Sequence, residues 1–262
     1  YTTPGFCANT LLISVTINDD QDASFSYSSA SYCVGGVDPT PSITGTTGGT
    51  FTAPLGLSLN PGGLIDLSTS DPGSYFVTYT TAGPCSANSN QAITIVADED
   101  ATYTYSSTTE CQSGTDMTAT ITGTAGGTFT ATPAGLTLNS TTGLIDVSSS
   151  TPNTYDVTYT TPGSCPATLI ISITINADED ASFTLSSANE CQSGTDVTAT
   201  ITGTTGGAFT AAPAGLNINS ATGDIDVSAS TSGPYTVTYT TIGACSANSN
   251  QAITIVADED AT

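Results

Sequence analysis

The stretch TYDVTYTTPGSCPATLIISITIN, residues 154–176, contains two runs in which apolar and polar residues alternate. Alternation with a period of two is typical of a β-strand that buries one face. The sequence TPGS between the runs is a turn signal. The stretch therefore predicts two half-buried strands joined by a turn. The predicted inward side chains are Tyr155, Val157, Tyr159, Ile171, Ile173 and Ile175.

The same patterns return about every 80 residues. The sequence ITGTTGGTFT begins at Ile43, ITGTAGGTFT at Ile121 and ITGTTGGAFT at Ile201. Such self-similarity is the signature of a tandem array. We predict the C-terminal strand of a truncated preceding repeat at 1–18, three full repeats at 19–97, 98–177 and 178–257, and the start of another at 258–262. Because the sequence opens and closes inside a repeat, we expect a segment of a longer protein.

Each repeat is predicted to fold as an all-β, seven-stranded immunoglobulin-like (Ig-like) sandwich. No 3.6-residue periodicity occurs, so no substantial helix is expected. Seven short strands within about 80 residues, separated by turn signals, are typical of this architecture. In the second repeat the predicted strands are Ala101–Ser107, Met117–Gly123, Thr128–Ala131, Leu136–Asn139, Leu144–Ser148, Thr154–Thr161 and Thr168–Asn176.

The charge of the chain excludes several partners. The formal net charge is −23, and the sequence contains no Lys, Arg or His. Nucleic acids and anionic membranes both need cationic side chains for binding, so neither is an expected partner. The longest apolar run, LLISVTI from Leu11, has the length of a strand, so no membrane insertion is expected. Internal salt bridges are excluded, which leaves inorganic cations, the backbone and distance to balance the carboxylates.

Seven cysteines fall into two sets that follow the repeat. Two thiols per repeat, without His or Cys-x-x-Cys, do not provide the four ligands of a structural zinc site. They predict disulfides and therefore an extracellular compartment. One set is Cys7, Cys85, Cys165 and Cys245, and the other is Cys33, Cys111 and Cys191; all but Cys7 are predicted disulfide residues.

Two pairings of these cysteines are open. Independent folding of each repeat favours a bond within a repeat, as in Cys111–Cys165. Counting chain reversals places those two residues at opposite poles of the sandwich, however. Bonds between neighbouring repeats, Cys33–Cys165 and Cys111–Cys245, are the alternative.

No catalytic constellation is expected, and neither is a small-molecule substrate. Without His or Lys there is no base for a Ser or Cys nucleophile. Asp66, Asp146 and Asp226 recur in the segment around LID, but no second carboxylate accompanies them at a fixed spacing, as glycoside hydrolysis requires. We interpret them as solvated strand or turn residues, and the chain as not an enzyme.

The acidic runs between repeats are the candidate functional sites. Asp98 and Asp100 of an extended linker would project to the same side, and Glu110 or Asp116 would add oxygen ligands. Calcium bound there would cancel repulsion and stiffen the linker. A solvated spacer that like charges keep extended is the simpler alternative. The candidate ligands are Asp20, Asp22, Asp98, Glu99, Asp100, Asp178, Glu179 and Asp180.

The sequences PAGLTLNSTTGLIDVSSSTPNTYDVTYTT from Pro133 and PAGLNINSATGDIDVSASTSGPYTVTYTT from Pro213 resemble bacterial Ig-like and cadherin-like repeats. The resemblance is to those of giant Bacteroidota surface proteins, which the type IX system exports as adhesins or appendage filaments. It implies a structural segment of an extracellular filament or stalk that self-associates into a multi-chain appendage for attachment. The alternative is an adhesin array whose loops bind glycans or proteins of a host or prey.

Overall fold

The computed structural model describes residues 1–7 and 9–259. Within these residues all regular structure is β-strand, and no helix that could span a membrane occurs among them. The described chain divides into two compact units. The first consists of Tyr1–Asp100 together with Thr161–Ala167, and the second of the other described residues from Ala101 onward. The all-β prediction is confirmed.

Each predicted repeat contains its own set of strands. The strands of the first repeat are β1 (Phe25–Ser26), β2 (Ser31–Cys33), β3 (Ser42–Ile43), β4 (Thr50–Thr52), β5 (Gly73–Thr80) and β6 (Asn88–Val96). Those of the second are β7 (Tyr103–Tyr105), β8 (Thr109–Cys111), β9 (Ala119–Ile121), β10 (Thr128–Thr132), β11 (Thr137–Leu138), β12 (Ile145–Asp146), β13 (Asn153–Thr160) and β14 (Thr168–Asn176). Those of the third are β15 (Phe183–Leu185), β16 (Asn189–Cys191), β17 (Ala199–Ile201), β18 (Ala208–Ala212), β19 (Asn217–Ile218), β20 (Ile225–Asp226), β21 (Gly233–Thr240) and β22 (Asn248–Val256).

Every repeat has one four-stranded sheet with the same strand order. In the second repeat this order is β10-β13-β14-β8, and in the others it is β4-β5-β6-β2 and β18-β21-β22-β16. In the second repeat the remaining strands pair as β7–β9 and β11–β12. An isolated bridge between Met117, just before β9, and Ile145 of β12 connects these two pairs. The sheets enclose the apolar side chains, which gives the predicted Ig-like sandwich.

The structure adds a short strand to the seven that we predicted. Strand β8 comprises Thr109–Cys111 and pairs in parallel with the end of β14, so that Cys111 lies beside Asn176. Three residues are too few to show alternation, and the sequence therefore gave no sign of this strand. Equivalent parallel pairs place Cys33 beside Val96 and Cys191 beside Val256.

Residues 1–18 do not form the predicted strand. Strand β14 and its equivalents pair along all but their last residue with the strand that precedes them in the chain. An isolated antiparallel bridge instead pairs Thr2 with Thr10. Without a partner strand in the described residues, the backbone of 11–18 forms no ladder, and Leu12 and Ile17 are exposed. The predicted repeat at 258–262 lies largely outside the described residues.

The predicted inward residues of the second repeat form its core. Tyr155, Val157, Tyr159, Ile173 and Ile175 are each at most 1% exposed, and Ile171 is half-buried. Burial of apolar area contributes roughly 25 cal/mol per Å². These side chains come from the long strands β13 and β14, whose hairpin therefore supplies much of the apolar burial in the repeat.

In each repeat the hydroxyl of one buried tyrosine both donates and accepts a hydrogen bond. Tyr159 donates to the carbonyl of Thr124 at 2.7 Å and accepts the N–H of Gly127 at 3.0 Å. A Cβ at Gly127 would lie 2.0 Å from the carbonyl oxygen of Thr160, so only glycine fits there. This explains the third glycine of ITGTAGGTFT. The same bonds join Tyr79 to Thr46 and Gly49, and Tyr239 to Thr204 and Gly207.

Replacing Tyr79 by Phe should destabilise the first repeat by about 1–3 kcal/mol, because a partly buried N–H and a partly buried carbonyl lose their partner. The matched control is Tyr75→Phe, whose hydroxyl donates to the carbonyl of Asp71 in an exposed position. It should cost less than ~1 kcal/mol. Urea unfolding followed by circular dichroism measures both. Equal losses for the two variants would contradict the role assigned to the Tyr79 hydroxyl.

Candidate functional site

The two cysteines of a repeat lie at opposite ends of its last strand. In the first repeat Cys33 is beside Val96, the final residue of β6, whereas Cys85 precedes Asn88, its first residue. Nine residues of extended strand span roughly 27 Å. A disulfide requires Cα atoms within about 7 Å of each other. A bond within the repeat is therefore geometrically impossible.

The structure contains two disulfides, and both join neighbouring repeats. Cys33 bonds to Cys165 with a Cα–Cα distance of 5.5 Å, and Cys111 bonds to Cys245 with a distance of 5.6 Å. The preferred pairing Cys111–Cys165 is wrong, and the alternative between repeats is confirmed. The bonded residues are 132 and 134 positions apart. In the chain-entropy model a loop of this length contributes roughly 5 kcal/mol to stability.

Three cysteines are not disulfide-bonded in the described residues. They are Cys7, Cys85 and Cys191, of which Cys7 and Cys191 are exposed. The predicted disulfides of Cys85 and Cys191 are therefore absent. Both bonds that form run from the short strand of one repeat to the following repeat. By that rule Cys191 would need a later repeat and Cys85 an earlier one.

The second cysteine of each bond lies in a short connection that we call the cysteine loop: residues 161–167, with equivalents 81–87 and 241–247. In the first unit the acidic run holds this loop by two hydrogen bonds. The backbone N–H of Glu99 donates to the carbonyl of Cys165 at 3.1 Å, and the N–H of Gly163 donates to Oε2 of Glu99 at 3.1 Å. In the second unit the N–H of Glu179 donates to the carbonyl of Cys245 at 3.2 Å.

A glycine two residues before the cysteine makes room for the glutamate. A Cβ built at Gly163 would lie 1.4 Å from Oε1 of Glu99, and one at Gly243 would lie 1.8 Å from Oε1 of Glu179. In the first repeat Gln21 takes the place of the glutamate, and its Nε2 donates to the carbonyl of Ala82 at 2.7 Å. We had not assigned these glycines a role, although the spacing Gly-x-Cys in every copy was a readable signal.

In the runs that begin at Asp178 and Asp258, the first acid fixes the turn that follows the short strand. Oδ1 of Asp178 accepts the N–H of Ser113 at 3.1 Å and its hydroxyl at 2.8 Å. Asp258 makes the same two bonds to Ser193, again at 3.1 and 2.8 Å. In the first repeat Gly35 stands where Ser113 would be, and Oδ2 of Asp98 would lie only 2.6 Å from a Cβ there.

The third acid of the runs begins the next repeat. Oδ1 of Asp22 accepts the N–H and the hydroxyl of Ser24, and Asp180 accepts the same groups of Ser182. The hydroxyl bond, followed by the backbone bond, lowers the pKa of both Asp22 and Asp180. Asp100 is exposed and also has an interaction partner. Asp20 is exposed.

The carboxylates of a run thus face different partners and do not converge. Within the described residues, the groups of three possible metal ligands are Cys33, Asp98, Cys165 and Cys111, Asp178, Cys245. Two of the three in each group are disulfide sulfurs, whereas metals bind thiolates. Asp116 accepts the N–H of Val147 at 3.1 Å. Calcium takes six to eight oxygens, which this arrangement does not supply. Calcium binding at the runs stays a prediction.

A cleft with a volume of about 290 Å³ lies around the first disulfide. Asp98 is its one ionisable side chain, and a single carboxylate provides neither an acid–base pair nor an activated nucleophile. The cleft therefore carries no recognisable chemistry. It is lined by Cys33, Gly35, Gly36, Asp98, Cys165, Pro166 and Ala167.

Two recurrent acids of the LID segment, Asp146 and Asp226, end a short strand and accept hydrogen bonds from the turn that follows it. Asp146 accepts the hydroxyls of Ser148 and Ser149, each at 2.8 Å, and the N–H of Ser149 at 3.0 Å. The Ser149 hydroxyl, followed by that of Ser148, lowers the pKa of Asp146. Asp226 has an alanine, Ala229, in place of the second serine and keeps two of these bonds.

Neither a family model nor a curated protein matches the chain. Solved structures do. A three-Ig-domain segment of a titin variant is 10% identical, with a TM-score of 0.49, and the match covers 91% of this chain and 100% of that one. An extracellular segment of mouse cadherin-23 is 12% identical, with a TM-score of 0.32 and coverages of 90% and 100%. At these scores the fold assignment depends on the strand order and pairing described above.

Substituting Gly163 by Ala should lower the equilibrium constant for forming Cys33–Cys165 by about fivefold, because the flexible Glu99 side chain must move aside and overpacking of this kind costs ~1 kcal/mol. Titration with a glutathione redox buffer, read by mass spectrometry, measures it. The Cys111–Cys245 bond in the same molecule serves as the internal control. Glu99→Ala removes the clashing carboxylate, so the double variant should recover part of the loss. A loss that Glu99→Ala leaves unchanged would refute the steric explanation.

Ser149→Ala should raise the pKa of Asp146 toward its ordinary value of 3.8, because the variant loses one hydroxyl donor. A lowered pKa in the folded state stabilises the fold above the ordinary value, and this gain disappears as pH falls through the lowered value. In the variant the folded-state pKa lies closer to 3.8, so Asp146 contributes less to stability above that pH and loses its contribution at a higher pH than in the parent chain. Carboxyl NMR titration measures it, with Asp226 as the natural comparison. An unchanged Asp146 would contradict the assignment.

Proposed function

We propose that the chain is a structural segment of an extracellular repeat protein that forms a filament or stalk and serves attachment. It is not an enzyme in this proposal. The observation that carries the proposal is the link between repeats. The cysteine loop at 161–167 is joined to the preceding repeat by the Cys33–Cys165 disulfide and by the hydrogen bond from the N–H of Gly163 to Glu99. Gly163 has no side chain that would collide with that glutamate. Such connections maintain covalent continuity along an array and belong to no substrate site.

Disulfides favour an oxidising, extracellular location. The near-identity of the copies also supports a structural role, because loops that recognise different partners would differ among repeats. The segments 111–116 and 191–196 share the sequence CQSGTD. An adhesin array that binds glycans or proteins through its loops is the competing function.

Side-by-side packing of several chains is part of the proposal. Phe76 in the first repeat is 64% exposed, because its strand neighbours point inward and it therefore points outward. Ile170 in the second repeat is 58% exposed. These side chains lie on the outer face of a four-stranded sheet, where another chain would cover them. The charge of −23 opposes such packing unless cations screen it.

Electron microscopy of the native material, with and without a calcium chelator, tests this proposal. We expect a filament with several chains in cross-section and an axial repeat set by these modules. Loss of straightness on chelation, restored by calcium but not by a matched concentration of sodium, would place calcium at the acidic runs. Filaments unchanged by chelation would leave the spacer reading of the runs.

Single flexible strings of beads at physiological ionic strength would refute the multi-chain filament. Binding of such strings to a glycan array or to cell-surface protein would then favour the adhesin function. A matched pair, Phe76→Ser and the exposed-loop variant Ser164→Ala, separates packing from general effects. Only the first should weaken lateral association.

A further inference from the structure

The backbone around the free Cys191 has the same arrangement as the backbone around Cys111, which forms a disulfide. Cys191 pairs in parallel with Val256, as Cys111 does with Asn176. Its neighbour Gln192 donates its N–H to the carbonyl of Val256 at 3.0 Å, which matches the bond from Gln112 to Asn176.

The turn after Cys191 has the same hydrogen bonds, at the same distances, as the turn after Cys111. Gly194 donates to the carbonyl of Cys191 at 2.8 Å, as Gly114 does to Cys111. Asp258 holds Ser193 by bonds of 3.1 and 2.8 Å, the distances found between Asp178 and Ser113. The one difference is the partner: Cys111 is bonded to Cys245, and Cys191 is an exposed thiol.

The bonded counterparts define what this site accepts. Both disulfides take the cysteine of a cysteine loop, with the glycine two positions earlier that leaves space for the glutamate of the acidic run. The loop around Cys85 meets this description, because its sequence is Ala82-Gly83-Pro84-Cys85. Gln21 holds that loop in the first unit while the Cys85 thiol has no disulfide partner.

We propose that Cys191 is a covalent attachment site for the cysteine loop of a further Ig-like repeat, and that Cys85 is the loop cysteine that receives the short-strand cysteine of another. The inference deepens the proposed function and rests on it for the oxidising compartment. Pairing is directional: a short-strand cysteine joins a loop cysteine, and two of the same kind do not pair. Attachment of this head-to-tail kind extends an open array unless the rotation between repeats closes it into a ring.

The chemistry needs an oxidant, for which a small-molecule disulfide suffices. The Cys191 thiolate attacks one sulfur of the disulfide, forms a mixed disulfide and releases one thiol. The thiolate of the incoming loop cysteine then attacks the Cys191 sulfur, forms the bond between repeats and releases the second thiol. Two protein thiols are oxidised, and one small-molecule disulfide is reduced to two thiols.

The incoming loop has two sources, a second copy of this chain or a later repeat of the same polypeptide, and two experiments distinguish them. In the first, chains carrying Cys7→Ser, half of them labelled with ¹⁵N, are incubated with reduced and oxidised glutathione and digested with pepsin at low pH. We expect Cys85–Cys191 peptides of mixed isotope composition, at least tenfold more abundant than Cys85–Cys85 or Cys191–Cys191 peptides. That result supports the proposal with a second copy as the source.

In the second experiment the chain is extended by another copy of residues 178–257 placed after residue 257. Cys191 should then bond within one molecule to the added equivalent of Cys245, and Cys191→Ser should abolish that peptide. This result without oligomers in the first experiment supports the proposal with the same polypeptide as the source. In both, the Cys33–Cys165 and Cys111–Cys245 peptides report that the chain is folded.

The proposal is overturned if those two peptides form and neither experiment gives a bond between a short-strand and a loop cysteine. Equal amounts of like and unlike pairs would overturn it as well. Neither result depends on lateral packing. Filaments seen by microscopy without directional disulfides would refute this inference alone, and directional disulfides in single strings would refute the filament alone.

Discussion

The parallel pairing of a three-residue strand with the end of the last strand of each repeat determines how the array is connected. It places one cysteine at the far end of a nine-residue strand from the other. Because a disulfide cannot span that distance, each cysteine must find its partner in a neighbouring repeat. The loop of the second repeat, residues 161–167, accordingly belongs to the first compact unit, although the strands on either side of it belong to the second.

Because the chain has no cationic side chains, backbone N–H groups and hydroxyls are the hydrogen-bond donors to its carboxylates. Carboxylates that would pair with Lys or Arg in other proteins accept N–H and hydroxyl groups here: Glu99 from Gly163, Asp178 from Ser113, and Asp22 from Ser24. Hydrogen bonds to a charged acceptor are stronger than neutral ones. Each acid of a run therefore fixes a different turn, so the three carboxylates face different partners.

The fold was largely predictable from the sequence, because alternation along strands such as β13 and β14 records which side chains are buried. The short strand β8 was not, since three residues carry no period. The disulfide partners followed from counting chain reversals, and the assumption of independent domains led to the wrong preference. The glycine at 163 was visible as a repeated spacing, but its purpose depends on where the Glu99 side chain points, which sequence does not encode.

The two disulfides also overlap along the chain. One closes the span from residue 33 to 165 and the other the span from 111 to 245, so the stretch shared by both is enclosed twice. Any single break of the backbone between residues 33 and 245 leaves the protein in one covalent piece. An extracellular protease that cuts one exposed loop or one acidic linker within that span would release no part of the protein. Between residues 33 and 245 the two ends of the array separate only after three cuts, one in each of the spans 33–111, 111–165 and 165–245, or when backbone cleavage is combined with reduction of the disulfides.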